Sequence, residues 1–295
     1  MVERGATQPS ASVAALDDAL RAIDAWPVDH AAAAVIGPGG VLAAHGEHEH
    51  LFRLASLTKP LAAFAVLTGV EEGVVTLDDV IDARGATLRH LLAHAAGYPF
   101  DGATPIAAPG RRRIYSNAGI ERAADHLAEA AGLAFTTYFD EAVVVALGLG
   151  VELRGSPAHG AWGSLDGLAP FAVELLRPAV LAATTATAMR TTQYPDLAGV
   201  VPGVGAYRPC PWGLGVEIKG AKHPHWTAPR CSAATFGHFG GAGTFCWVDP
   251  EAALALMALT DRPFSDWRDD ALRLWPSLGD AVLLAAGAST AGERA

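Results

Sequence analysis

Ser56-Leu57-Thr58-Lys59 sets a hydroxyl and an amine three positions apart, at the start of a segment whose pattern predicts a helix over 56–73. Side chains three apart on a helix share a face, so the amine can reach the serine oxygen. A serine hydroxyl attacks a carbonyl only when a neighbour takes its proton. Lysine can do this where apolar surroundings lower its pKa, whereas arginine stays protonated. Only three of the 21 basic residues are lysines, and Lys59 stands between Leu51-Phe52-Arg53-Leu54-Ala55 and Pro60-Leu61-Ala62-Ala63-Phe64. A helix start also leaves N–H groups unpaired at the positive end of the dipole, where they can steady an oxyanion.

Ser-x-x-Lys alone occurs by chance in many helices, so two further segments matter. Tyr115-Ser116-Asn117 lies between a turn-rich loop and a helical pattern. It offers a phenol to relay protons and an amide to hold a carbonyl, or simply a helix cap. Phe236-Gly237-His238-Phe239-Gly240-Gly241-Ala242-Gly243 is dense in glycine. Such a strand edge lets backbone N–H groups approach a substrate, or else forms a plain flexible hairpin.

In this order the three segments resemble the serine-reactive superfamily of class C β-lactamases, D-alanyl-D-alanine peptidases and related esterases. That family's motifs are Ser-x-x-Lys, Tyr-x-Asn and Lys/His-x-Gly, standing here as Ser56 to Lys59, Tyr115 to Asn117 and His238-Phe239-Gly240. Leu91-Leu92-Ala93-His94-Ala95-Ala96-Gly97 and Trp212-Gly213-Leu214-Gly215 are similar to supporting family segments, and the resemblance covers roughly residues 30 to 262. It implies an α+β, β-lactamase/transpeptidase-like fold: a central antiparallel sheet flanked by helices, with an inserted helical lobe. It implies Ser56 as acylated nucleophile, with Lys59 and Tyr115 sharing acid and base duties. Asn117, His238, Phe239, Gly240 and Gly241 would bind substrate, the N–H groups of Ser56 and Gly241 would form the oxyanion hole, and His94 would be structural. No metal or cofactor is expected.

Two departures shift the expected substrate. Histidine replaces the usual lysine of the third motif and is mostly neutral at pH 7, so it attracts a β-lactam carboxylate less. Phe239 replaces a small polar residue and adds an apolar contact. Esters or small amides are therefore favoured over antibiotics. β-Lactamase, D-amino-acid peptidase and acyltransferase chemistry remain open, as does a non-catalytic binding protein of the same fold.

The elements that must position these residues follow from hydrophobic periodicity and turn signals. A helix is predicted over 11–26, a hairpin over 31–44, and helices over 87–94, 117–131, 135–147 and 164–177. Strands are predicted at Trp212 to Ile218, Thr235 to His238, Gly243 to Val248 and Ala253 to Thr260. Helices at Phe264 to Leu274 and Leu278 to Ala285 follow, before a tail expected to fray. Both ends then build one sheet of a single bilobed domain, with a sheet lobe over 11–60 and 206–290 and a helical lobe over 61–205. His45-Gly46-Glu47-His48-Glu49-His50 reads as a polar connection, although an extended strand would put its histidines on one face, as a metal site needs.

Of 295 residues, 51% are hydrophobic and 18% charged, enough apolar material for a large core. The net charge of −10 argues against nucleic acid or an anionic membrane as partner. The first residues, Met1-Val2-Glu3-Arg4-Gly5, do not read as a secretory signal, and no apolar run is long enough to span a bilayer. Cys210, Cys231 and Cys246 lack metal-type spacing and suit buried thiols in a reducing cytoplasm. The expected partner is a small ester, amide or lactam; the oligomeric state is not legible.

Overall fold

The computed structural model describes residues 13–287. Helix α1 (Val13–Leu20) tightens into a 3-10 turn at Arg21–Ala25, then β1 (Ala31–Gly37) and β2 (Gly40–Gly46) form the expected hairpin. A short β3 (Phe52–Arg53) leads through a 3-10 turn at Ala55–Leu57 into α2 (Thr58–Glu71). Next come α3 (Leu88–Leu92), α4 (Asn117–Ala131) and α5 (Phe135–Phe139), the last running into a π turn at Asp140–Val145. β4 (Val151–Leu153), β5 (Ala161–Gly163), α6 (Leu165–Leu176) and α7 (Ala183–Met189) complete the helical stretch. The chain then forms β6 (Gly199–Val201), β7 (Gly205–Tyr207), β8 (Glu217–Ile218), β9 (Phe236–Gly240), β10 (Thr244–Asp249), β11 (Leu254–Thr260) and α8 (Phe264–Ala285).

The main sheet has six strands in the order β2-β1-β11-β10-β9-β8. Every pairing in it is antiparallel, and β1 meets β11 from Ala31↔Thr260 to Ile36↔Ala255, so the two ends of the chain build one sheet. Alternation along the strands explains the two packing layers. Ala32, Ala34, Ile36, Met257 and Leu259 face the cluster that holds α2 and α6. Ala33, Val35, Leu256 and Ala258 face the cluster that holds α1 and α8. Strands covered on both faces read as unbroken apolar runs, as Ala31-Ala32-Ala33-Ala34-Val35-Ile36 does.

Three expectations are corrected. Trp212 to Ile218 is not one strand: Gly215 adopts φ +79, the chain folds back, and only Glu217–Ile218 pairs with β9. The C-terminal pair of helices is one element continuing through Pro276, and its irregular residue is Trp267 at φ −145. The three histidines of 45–50 do not share a face, since His45 pairs with Asp24, His48 with Asp166, and His50 stacks on His30. Helix α7 and strands β4 to β7 were not anticipated, being too short to show a period. Positions 11 and 12 and the tail beyond 287 lie outside the described residues. Among the described residues no helix is long and apolar enough to cross a membrane.

Candidate active site

β3 ends at Arg53, and two residues on Ala55 takes φ 47, a conformation that costs energy in any residue bearing a Cβ. That sharp turn swings Ser56 to the head of α2. Behind it α2 is buried almost all round, from Thr58 to Leu67, with Lys59 at 0% exposure. Thr58 locks the turn: its hydroxyl donates to Ala55 O at 2.6 Å and accepts from Ala161 N at 3.0 Å.

Lys59 Nζ lies 2.9 Å from Ser56 Oγ, 2.6 Å from Asn117 Oδ1 and 2.9 Å from Ala158 O. Burial lowers its pKa from 10.5 to about 7, a drop that Glu121 and Asp101 only partly oppose. The three contacts match both protonation states. A neutral amine donates two hydrogens to Asn117 and Ala158 and turns its lone pair toward the serine proton. After taking that proton it donates to all three without moving.

The second motif arrives on the capped start of α4. Ser116 Oγ accepts from Gly119 N at 2.9 Å, a standard N-cap, and donates to Pro99 O at 2.6 Å. Asn117 is thereby fixed behind Lys59, with Nδ2 donating to Asp101 Oδ1 at 2.9 Å. It does not line the cavity described below. The Tyr115 ring lies 4.7 Å from Lys59 Nζ. Burial pushes its phenol pKa up, with Ser56 as a hydrogen-bond partner partly offsetting the rise.

The third motif comes from β9, whose end lies beside the Ser56 turn. A Cβ at Gly240 would stand 2.4 Å from Leu54 O, 2.4 Å from Thr244 Oγ1 and 3.2 Å from Ser56 N, so only glycine allows this approach. His238 Nδ1 donates to Phe239 O at 2.6 Å, which leaves Nε2 as an acceptor, 3.5 Å from the Tyr115 hydroxyl. Burial first, and the Lys59 charge second, lower the His238 pKa to about 3, so the ring is neutral. His94, at φ 53, accepts from Ser116 N at 3.2 Å through Nδ1, a buried ring bonded to backbone.

A cavity of about 620 Å³ opens from Ser56 and Tyr115, with His238, Phe239 and Gly241 on its wall. Sequence reasoning missed several of its other residues. Val201 ends β6, Pro202 and Gly203 follow it, and Phe264 to Asp270 begin α8. Glu217, 2% exposed, also lines it. Burial alone would raise the Glu217 pKa, yet Lys222 at 2.7 Å and His225 at 3.0 Å outweigh that and hold it well below the carboxylate range. The spacing Glu217, Lys222, His225 was the available signal, and it is too common to single out.

Among the described residues, His30, Glu47 and His50 place ligand atoms within 4.8 Å of one another. The two rings stack at 17°, so their in-plane lone pairs run side by side and do not converge on an ion. None of the three lines the cavity.

A family model described as Beta-lactamase matches residues 8–150 and 144–277. The chain belongs to the beta-lactamase family. Members of this family are serine hydrolases. A crystal structure of a beta-lactamase from Mycobacterium bovis (Mb2281c) is similar at 49% identity and TM-score 0.87, covering 90% of this chain and 98% of that one. EstCE1, a hydrolase with promiscuous acyltransferase activity, shares the fold at TM-score 0.73 and 19% identity, covering 92% and 98%. Penicillin-binding protein 4* of Bacillus subtilis (strain 168) is 39% identical over 56 residues, which is 17% of this chain. The chain thus spans 12% of the length of that curated relative.

Proposed function

We propose that this chain hydrolyses small carboxylic esters or amides through an acyl-enzyme on Ser56. One observation carries the reading: a fully buried amine with a pKa of about 7 lies 2.9 Å from a serine oxygen that opens onto a cavity. Lys59 takes the Ser56 proton as Oγ bonds to the substrate carbonyl carbon. Negative charge moves to the carbonyl oxygen, toward the N–H groups of Ser56 and Gly241. The intermediate collapses, the bond to the leaving group breaks, and that group leaves with a proton. Water then repeats the sequence on the acyl-enzyme and restores Ser56.

Tyr115 has a raised pKa and stays a neutral phenol near pH 7. That makes it a poor first base and suits it to passing a proton to the leaving group. Asn117 acts through Lys59, holding the amine toward Ser56. Neutral His238 and apolar Phe239 offer no fixed cation to a substrate carboxylate, which favours esters and neutral amides over β-lactams. Transfer of the acyl group to an alcohol or amine is the second reading, supported by the promiscuous acyltransferase activity of EstCE1.

Treatment with a fluorophosphonate, followed by intact mass measurement, should give a single adduct on Ser56. Turnover of p-nitrophenyl butyrate should exceed that of nitrocefin. Absence of any adduct with fluorophosphonate or penicillin would instead make the chain a binding protein that keeps the fold.

A further inference from the structure

We propose that the substrate carries an alkylammonium group, held in the cavity between aromatic rings and the carboxylates of Glu217 and Asp266. This deepens the hydrolase reading and rests on it for the identity of the site.

The walls supply the first reason. Phe100, Tyr115, Trp212, Phe239, Phe264 and Trp267 all line the cavity. They meet at steep angles: Phe239 and Phe264 are tilted by 54° at 5.1 Å between centroids, and Tyr115 meets Trp212 edge to face at 5.9 Å. Rings set at angles present both faces and edges to one space. A cation beside such faces is attracted by the ring quadrupoles, most strongly where water is scarce.

The charges supply the second. Four carboxylates (Glu217, Asp266, Asp269 and Asp270) and one guanidinium (Arg268) line the cavity. Arg268 is engaged by Asp269 at 2.8 Å, and Asp270 is answered by Arg273 at 2.8 Å. Asp266 lies at the exposed rim; among the described residues its Oδ1 accepts only from Ser265 Oγ, at 2.9 Å, and no basic group lies within 4.0 Å of its carboxylate. Glu217 is different in kind: it is buried on the wall and its charge is answered by buried Lys222 at 2.7 Å, so what it offers the cavity is an acceptor position. Its Oε1 takes Lys222 and His225, whereas its Oε2 accepts only Trp226 Nε1, at 2.8 Å. A carboxylate has about four acceptor positions, so Oε2 has room for one more donor.

Among the described residues no unpaired cation on the wall welcomes a carboxylate, because Lys59 does not line the cavity and His238 is neutral. The rings and the Asp266 carboxylate therefore select a positive group; a protonated tertiary amine also has the N–H that Glu217 Oε2 can accept, whereas a quaternary one is held by the rings and by charge alone.

The test is competitive inhibition of p-nitrophenyl butyrate hydrolysis at low ionic strength. Three probes of similar size are compared: choline, its neutral isostere with carbon in place of the quaternary nitrogen, and butyrate. Choline should bind roughly fivefold or more tightly than the isostere, with butyrate weakest. The gap should narrow in high salt and in Asp266→Asn, read as a ratio within each protein so that a general loss of activity cancels. An isostere that binds as well as choline overturns the proposal. Should no ester be turned over, tryptophan fluorescence titration of the same probes decides it. A cation preference there upholds the cavity assignment while the hydrolase reading falls.

Discussion

Ser56→Ala is expected to lower kcat/KM for p-nitrophenyl esters by on the order of 10⁴-fold or more, the scale on which loss of a serine nucleophile is felt in comparable enzymes. The reason is geometric. Among the residues lining the cavity, only Ser56 has a hydroxyl within hydrogen-bond distance of a buried amine. Without that oxygen, water would have to attack unaided. The fluorophosphonate adduct should vanish too, and circular dichroism should match the parent, since the substitution leaves Lys59 with Asn117 and Ala158. A variant retaining more than about a tenth of the parental rate would remove Ser56 from the mechanism.

Lys59→Met keeps the length of the side chain and removes its nitrogen. It should cost on the order of 10² or more in kcat, the usual worth of a positioned base. Two pH signatures go with it. Only the neutral amine can accept the serine proton, so the parent's kcat/KM should climb as pH passes through about 7 and then level. The stability signature has its own sign. The folded pKa of about 7 lies below the ordinary lysine value of 10.5. Between those two values the unfolded chain holds a proton that the folded chain has released. Stability therefore rises with pH across that window, and the cost of burying the charge is fully felt below it. Urea titrations of parent and variant at pH 7 and about pH 9 should show that this increment is missing from Lys59→Met. An equal pH response in both proteins would mean that the amine is not desolvated as described.

Much of this was legible in the sequence because it is local. Ser56 and Lys59 meet through helical spacing, and Ser116 announces the start of α4 by the preference of helix ends for hydroxyl side chains. The β1–β2 hairpin and the β9–β10–β11 run follow from apolar stretches divided by glycine-rich turns and, between β10 and β11, by Asp249-Pro250. What stayed hidden depends on contacts between distant segments. Nothing near Phe264 or Asp266 says that the first turns of α8 wall a cavity beside residue 56. The expected strand at Trp212 to Ile218 gave way because Gly215 approaches Ala63: a Cβ there would stand 2.2 Å from the alanine methyl, and the turn it permits breaks the strand. The break expected between Leu274 and Leu278 is absent: α8 continues through Pro276, where Ser277 Oγ donates to Arg273 O at 2.7 Å and supplies a bond within the interrupted turn.

The neighbouring glycines of the third motif leave very different latitude for redesign. Position 240 is shut, because even a methyl would strike Leu54 O and Thr244 Oγ1, whereas a Cβ at 241 meets nothing within 4 Å. Gly241 also borders the cavity. Retuning which acyl chains fit, by natural drift or in the laboratory, is thereby channelled to residue 241, where bulk can be added one carbon at a time while the strand keeps its grip on the serine turn.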